Sequence, residues 1–89
     1  MLESTIQHKI VHALRAHGCV VYKFTSDAQR GVPDLVVIAP GGRVYFFEVK
    51  QPGKKATLQQ QVHIDRINGV GGYACVVTSV PEAMDRLGE

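Results

Sequence analysis

The stretch DLVVIAPGGRVYFFEVK, residues 34–50, leaves a chain of 89 residues little freedom. Two runs of β-branched and aromatic residues, 34–39 and 43–50, flank Pro-Gly-Gly at 40–42, the pattern of antiparallel strands closed by a tight turn. One end of this hairpin is chemically odd. Asp34, Glu48 and Lys50 stand in otherwise apolar strands, where an ionisable group without a partner is expensive to bury. Thirteen residues separate Asp34 from Glu48, and pairing through the turn sets Asp34 opposite Glu48 or within one residue of it. Side chains alternate along a strand, so Glu48 and Lys50 share a face, ~7 Å apart at ~3.3 Å per residue. Two carboxylates and an amine therefore converge. Acids this close repel one another unless a cation or a proton intervenes, and an oxygen-only set with open positions favours Mg²⁺ or Mn²⁺ over zinc.

Each piece also has an ordinary explanation. EVK occurs at strand edges as an innocent ion pair, and Asp34 after Pro33 is common turn chemistry. The combination is what points to a metal site. Glu3 reaches it by a separate route: at ~100° per residue its direction on an N-terminal helix falls between those of Ile10 and Leu14, on the stripe that faces a sheet. Alternatively Ser4 caps that helix with Gln7 as its partner, and Glu3 lies outside as a frayed end.

Around the hairpin the periodicities alternate. Leu2, Ile6, Ile10, Ala13 and Leu14 predict an amphipathic helix over residues 2–17, and Cys19–Thr25 reads as a strand. Thr57 with Gln60 resembles a capping box opening a helix to about Asn68; GVGGYACVVTS returns the chain to a strand, and a short helix follows from about Pro81. The predicted order is αβββαβα, an α/β domain with a mixed central sheet flanked by helices. At 45% hydrophobic content, residues 1–89 suit one domain and one core. Cys19 and Cys75 lie in apolar runs, which predicts buried free thiols and a reducing, cytoplasmic setting. No run approaches the ~18 apolar residues of a membrane span, and the N-terminus lacks a secretory pattern, so a soluble protein is expected.

Net charge is only +2, but its distribution is uneven. With Glu3, Asp34, Glu48, Lys50 and the acidic tail from residue 82 set aside, eight bases (Lys9, Arg15, Lys23, Arg30, Arg43, Lys54, Lys55, Arg66) face two acids, Asp27 and Asp65. A basic surface around a concentrated acidic spot suits a polyanion that must approach a metal, although an ordinary solvated surface has the same composition.

Gly31-Val32-Pro33-Asp34, then Glu48-Val49-Lys50, then a Gln in the following helix resemble the PD-(D/E)xK nuclease superfamily, and most closely its VRR-NUC branch. The resemblance extends from Glu3 to the strand at 73–78. It implies a restriction-endonuclease-like αβββαβ core and a Mg²⁺- or Mn²⁺-dependent endonuclease acting on DNA, often on branched structures. Stand-alone domains of this size in the family resemble phage-encoded Holliday junction resolvases that work as homodimers. By the same resemblance Asp34 and Glu48 are metal ligands, helped by the Val49 carbonyl, with Glu3 completing the acidic cluster and Lys50 orienting the attacking water. The helix Gln corresponds to Gln60, with Gln59 and Gln61 on either side, and Gln60 is also placed to be only the cap partner.

These roles agree with the physics. A cation between Asp34 and Glu48 lowers the pKa of bound water and offsets charge on the leaving 3′ oxygen, while Arg30, Lys54 and Lys55 flank the site in loops suited to phosphate contacts. His8 and His12 are spaced i, i+4 but point away from the apolar stripe, so no zinc role is assigned. Tyr22, Phe24, Tyr45, Phe46, Phe47 and Tyr73 are expected to be packing residues, and GVGG at 69–72 ends a helix rather than cradling phosphate. The expected function is a structure-selective DNA endonuclease. The rivals are a DNA-binding or scaffolding module without turnover, and a restriction-type nuclease, for which so small a chain has little room to read bases.

Overall fold

The structure is a computed structural model that describes residues 1–25 and 30–88; Asp27 and Glu89 lie outside the described residues. Seven elements follow the predicted order: α1 (Glu3–Ala16), β1 (Val20–Lys23), β2 (Leu35–Ile38), β3 (Val44–Val49), α2 (Leu58–Gly69), β4 (Ala74–Val77) and α3 (Val80–Arg86). The strands form one sheet in the order β1-β2-β3-β4. The first two junctions are antiparallel and β3–β4 is parallel, so α2 is the crossover that a parallel pair requires. Gly41 and Gly42 make the hairpin turn possible, both at positive φ (97° and 91°), closed by Ala39 N–H to the Arg43 carbonyl at 2.8 Å.

The two faces of the sheet are treated differently. Ile6, Ile10, Val11 and Leu14 of α1, with Ala83 of α3, pack on Val21, Leu35, Val37, Tyr45, Phe47, Val49 and Val77 to form the core. Tyr45 Oη donates to the Leu87 carbonyl and fixes the end of α3 against β3. Among the described residues the opposite face receives only α2, which contacts β4 and buries Ile64. Asn68 ties that helix end down by exchanging two hydrogen bonds with the Ala74 backbone, at 3.0 and 2.8 Å.

Three sequence expectations need correction. The strands are shorter than predicted, because only the residues opposite a partner join the ladder. Cys19 is a buried free thiol, but Cys75 is only half-buried. Tyr45 and Phe47 are core residues, whereas Tyr22 and Phe24 are exposed because no helix covers that part of the sheet. Among the described residues no helix is long and apolar enough to cross a membrane.

Candidate metal centre

Leu35 pairs with Phe47, so the next residues outward, Asp34 and Glu48, stand opposite one another at the end where β2 begins and β3 finishes. Two backbone contacts fix Asp34: its carbonyl accepts the Phe24 N–H at 2.7 Å, and its Oδ2 accepts the Val49 N–H at 2.9 Å. In an extended strand a residue's own N–H and C=O point to the same side, so the Val49 carbonyl is directed toward the Asp34 side as well. Glu3, the first residue of α1, brings a third carboxylate. Oxygens of Glu3, Asp34 and Glu48 lie within 4.8 Å of one another.

The frayed-end alternative for Glu3 fails. Leu2 is the N-cap, it makes no side-chain cap bond, and Ser4 sits inside the helix. Helix geometry therefore begins at Glu3, where the backbone N–H groups favour an acid.

Glu48 is the most constrained acid, with 2% of its surface exposed. Its Oε2 accepts Gln60 Nε2 at 3.3 Å, while its Oε1 is buried without a hydrogen-bond partner. Burial first, then Asp34 as both hydrogen-bond partner of the protonated form and neighbouring charge, push the Glu48 carboxyl up to about 8; Glu3 adds to this and the Lys50 ammonium opposes it. A buried carboxylate oxygen with no donor, facing two further carboxylates, is what a hard divalent cation satisfies. The donor set fits a hard divalent cation: it is all oxygen and is carried by the start of α1 and the paired ends of β2 and β3.

Among the three adjacent glutamines, Gln60 is the one that reaches the acids, and it does so without giving up the helix cap. Its Oε1 accepts the Thr57 N–H at 2.8 Å and its backbone N–H donates to Thr57 Oγ1 at 3.2 Å, completing the capping box, while its Nε2 turns to Glu48. The cap bonds and the contact with Glu48 are made at once. Gln61 instead donates to Asp65.

Gly31 opens the GVPD run that carries the family resemblance, but nothing in the sequence assigns it a structural role. It has φ +86°, and a Cβ built there would meet the Gln59 carbonyl carbon at 2.7 Å and the Gln60 nitrogen at 2.9 Å. The loop before Asp34 thus rests against the first turn of α2. Arg30, beside Gly31, and Lys54 and Lys55, shortly before the Thr57 cap, are all exposed. Lys54, Lys55, Thr57 and Gln61 line an open hollow of about 510 Å³ in which the acids take no part. His8 and His12 are exposed, and among the described residues the Glu3–Asp34–Glu48 group alone has the spacing of a metal cluster.

No family model matches the chain. Its sequence is 38% identical over 77 residues to "Putative nuclease p44" of Acyrthosiphon pisum secondary endosymbiont phage 1, covering 86% of this chain and 83% of the relative. A solved structure described as "VRR_NUC domain" superposes with a TM-score of 0.86 at 28% identity, over 98% of this chain and 95% of the other. A second, "VRR_NUC domain protein", shares the fold with a TM-score of 0.78 at 18% identity, over 99% and 86% of the two chains. With the acids, the hairpin that pairs them and these similarities together, the chain belongs to the VRR-NUC family of nuclease domains, within the PD-(D/E)xK superfamily.

Proposed function

We propose that this nuclease domain is a Mg²⁺- or Mn²⁺-dependent DNA endonuclease, selective for branched DNA, in which two copies cut the opposed strands of a Holliday junction. The observation that carries the reading is the buried, unpartnered Oε1 of Glu48 within a cluster of three carboxylates. Asp34 and Glu48, with the Val49 carbonyl and Glu3, would hold the ion. When bound, it supplies Lewis acidity toward the scissile phosphate.

The chain's own groups do the rest. Lys50, immediately after β3 and with a charge that acts on Glu48, orients the attacking water and balances negative charge as the water oxygen bonds to phosphorus, its proton passes to solvent and the P–O3′ bond breaks. The departing 3′ oxygen takes up a proton as it leaves. Gln60 holds Glu48 by Oε2 and leaves its other oxygen without a donor. Arg30, Lys54 and Lys55 neutralise phosphates on either side without reading bases, which suits recognition of DNA by shape.

Resolving a junction takes two nicks related by a two-fold axis, and a symmetric pair of identical chains supplies both. The relative p44 is a phage protein by its name, and action on DNA in a host cytoplasm is the corresponding setting. A panel of linear, flapped and four-way DNA, with Mg²⁺ and with Mn²⁺, tests the reading. Paired cuts in opposed strands of the four-way substrate, absent in Asp34→Asn, are expected. DNA binding without metal-dependent cleavage would instead mean a scaffolding module, and equal cleavage of linear duplex would remove the selectivity.

A further inference from the structure

Two aromatic rings stand open to solvent beside the acids. Lys23 pairs with Leu35, and the Phe24 N–H donates to the Asp34 carbonyl at 2.7 Å, so the ladder runs one step past β1 and sets Phe24 opposite Asp34. With Asp34 opposite Glu48, one row across three strands reads Phe24–Asp34–Glu48. Side chains alternate along each strand, so this row lies on the same face as Tyr22–Val36–Phe46, the next row inward. Tyr22 is 61% and Phe24 45% exposed, whereas Tyr45 and Phe47 on the other face are buried. At ~4.8 Å between strands, the row from Phe24 to Glu48 spans about 10 Å, comparable to one nucleotide from phosphate to base edge.

The strand edge next to these rings is basic. Lys23 lies between Tyr22 and Phe24 and projects to the other side of β1, an edge strand, where it lines a hollow of about 180 Å³ with His8, Val11, His12 and Arg15. Among the described residues no acid lines it. Arg15 is fixed there because its Nη2 donates to the Val21 carbonyl at 2.8 Å. We infer that Tyr22 and Phe24 form a stacking platform for a nucleobase left uncovered at a branch point, and that the hollow of His8, His12, Arg15 and Lys23 holds a phosphate of the same DNA at the adjoining edge. The inference rests on the branched-DNA reading above and names the residues that make the selection.

An exposed ring stacks on any base whose face is free, and basic groups hold the backbone whatever its sequence. In a continuous duplex each base is covered by its neighbours, and extracting one costs a few kcal/mol. Where strands exchange, the stack is already interrupted. A scissile phosphate over Asp34 and Glu48 brings an adjacent base to Phe24, so stacking is gained at a branch and not along an uninterrupted arm. Arg30, Lys54 and Lys55 cannot discriminate in this way, because every DNA carries phosphates.

The test is the fluorescence of a base analogue placed either at the branch of a four-way junction or within a linear arm, with Ca²⁺ in place of Mg²⁺ to keep the complex uncut. Wild type should quench the probe at the branch and not the probe in the arm. Tyr22→Leu and Phe24→Leu, which keep an apolar side chain without a ring, should lose the quenching and reduce the preference for junction over linear duplex about tenfold, while Tyr22→Phe and Phe24→Tyr should retain both. Lys23→Gln should weaken binding to both DNAs and lower the slope of log affinity against log salt by about 1. Mn²⁺ calorimetry on each variant reports whether the acidic cluster survives, and Tyr22, one row removed from it, keeps the test decisive if Phe24→Leu disturbs the acids. Quenching and preference equal to wild type in both leucine variants would overturn the platform and leave the branched-DNA reading standing. An unchanged salt slope in Lys23→Gln would overturn the part given to the hollow. A wild type with no preference for the junction would overturn both platform and reading. Leucine variants that keep the quenching but halve the particle mass by light scattering would assign the face to a protein contact instead.

Discussion

Gln60 joins a helix cap to a buried acid: its Oε1 accepts the Thr57 N–H at 2.8 Å while its Nε2 donates to Glu48 Oε2 at 3.3 Å. The same amide that starts α2 therefore sets the orientation of a carboxylate on β3. Local helix energetics and the geometry of the candidate metal centre are coupled through one side chain.

Substitutions at positions 57 and 60 separate the two roles. Thr57→Ala removes the Oγ1 acceptor and should cost about 1 kcal/mol of stability. It should leave most activity, since Gln60 keeps its bond to the Thr57 backbone. Gln60→Glu preserves a capping residue but sets a fourth carboxylate beside Glu48. Its helix should remain by circular dichroism while cleavage falls by at least about tenfold. Unchanged turnover in Gln60→Glu would show that the contact with Glu48 has no part in the chemistry.

Glu48→Gln should trade function for stability. A neutral amide keeps a partner for Gln60, no longer buries a charge and no longer repels Asp34, so the metal-free protein should melt higher at pH 8. For a domain of this size each kcal/mol corresponds to about 4–8 °C in Tm. Cleavage should be lost. A lower Tm with the fold otherwise intact would mean that the ionised carboxylate stabilises the metal-free state.

The same group fixes the sign of the pH dependence. Its carboxyl is raised from 4.5 to about 8 in the folded chain, so between those values the folded state binds the extra proton. Stability without metal should therefore be full below about pH 4.5 as far as Glu48 is concerned, and should fall as pH rises toward 8. Binding a divalent ion displaces that proton. Affinity for Mn²⁺ should accordingly rise with pH over this window, and saturating Mn²⁺ should flatten the slope of Tm against pH. Parallel slopes with and without Mn²⁺ would detach Glu48 from the metal.

Much of this was legible before any coordinates. Alternation in 34–39 and 43–50, with PGG between, was enough to predict Asp34 opposite Glu48 or within one residue of it, because a hairpin's register follows from its turn. The Thr57–Gln60 box was legible for a similar reason: its partners are three residues apart. Contacts between distant segments were not. Nothing in the spacing says that Gly31 abuts the first turn of α2, or that α2 covers β4 and leaves β1 and β2 bare. Tyr22 looked like Tyr45 in sequence, since both are aromatic residues in apolar strands; only the placement of the helices makes one a surface residue and the other core.

Glu3 is exposed yet close to the other two acids, and its charge is among the influences raising Glu48. Glu3→Gln keeps the shape and removes the charge. Mn²⁺ affinity and turnover at limiting metal should each drop about tenfold, with near-normal turnover recovered at high metal, as for loss of one weak ligand or outer-sphere charge. Wild-type behaviour across a full Mn²⁺ titration would leave Glu3 as a helix-terminus acid and nothing more.

Gly31→Ala should damage the site from outside it. The added Cβ would lie 2.7 Å from the Gln59 carbonyl carbon, 2.8 Å from its oxygen and 2.9 Å from the Gln60 nitrogen, at a φ of +86° that disfavours any L side chain. Those neighbours are helix backbone, so relief requires moving either the 30–33 loop or the start of α2. Movement of the helix start lengthens the reach from Gln60 to Glu48, already 3.3 Å. The backbone conformation alone should cost about 1–3 kcal/mol. The effect on catalysis is separable from that cost: with the protein kept folded at low temperature, Gly31→Ala should reduce turnover in the wild-type background and reduce it much less in a Gln60→Ala background, because the contact it disturbs is already gone. Equal losses in both backgrounds would show that Gly31 acts on the acids by another route, through the Pro33–Asp34 backbone rather than through the helix.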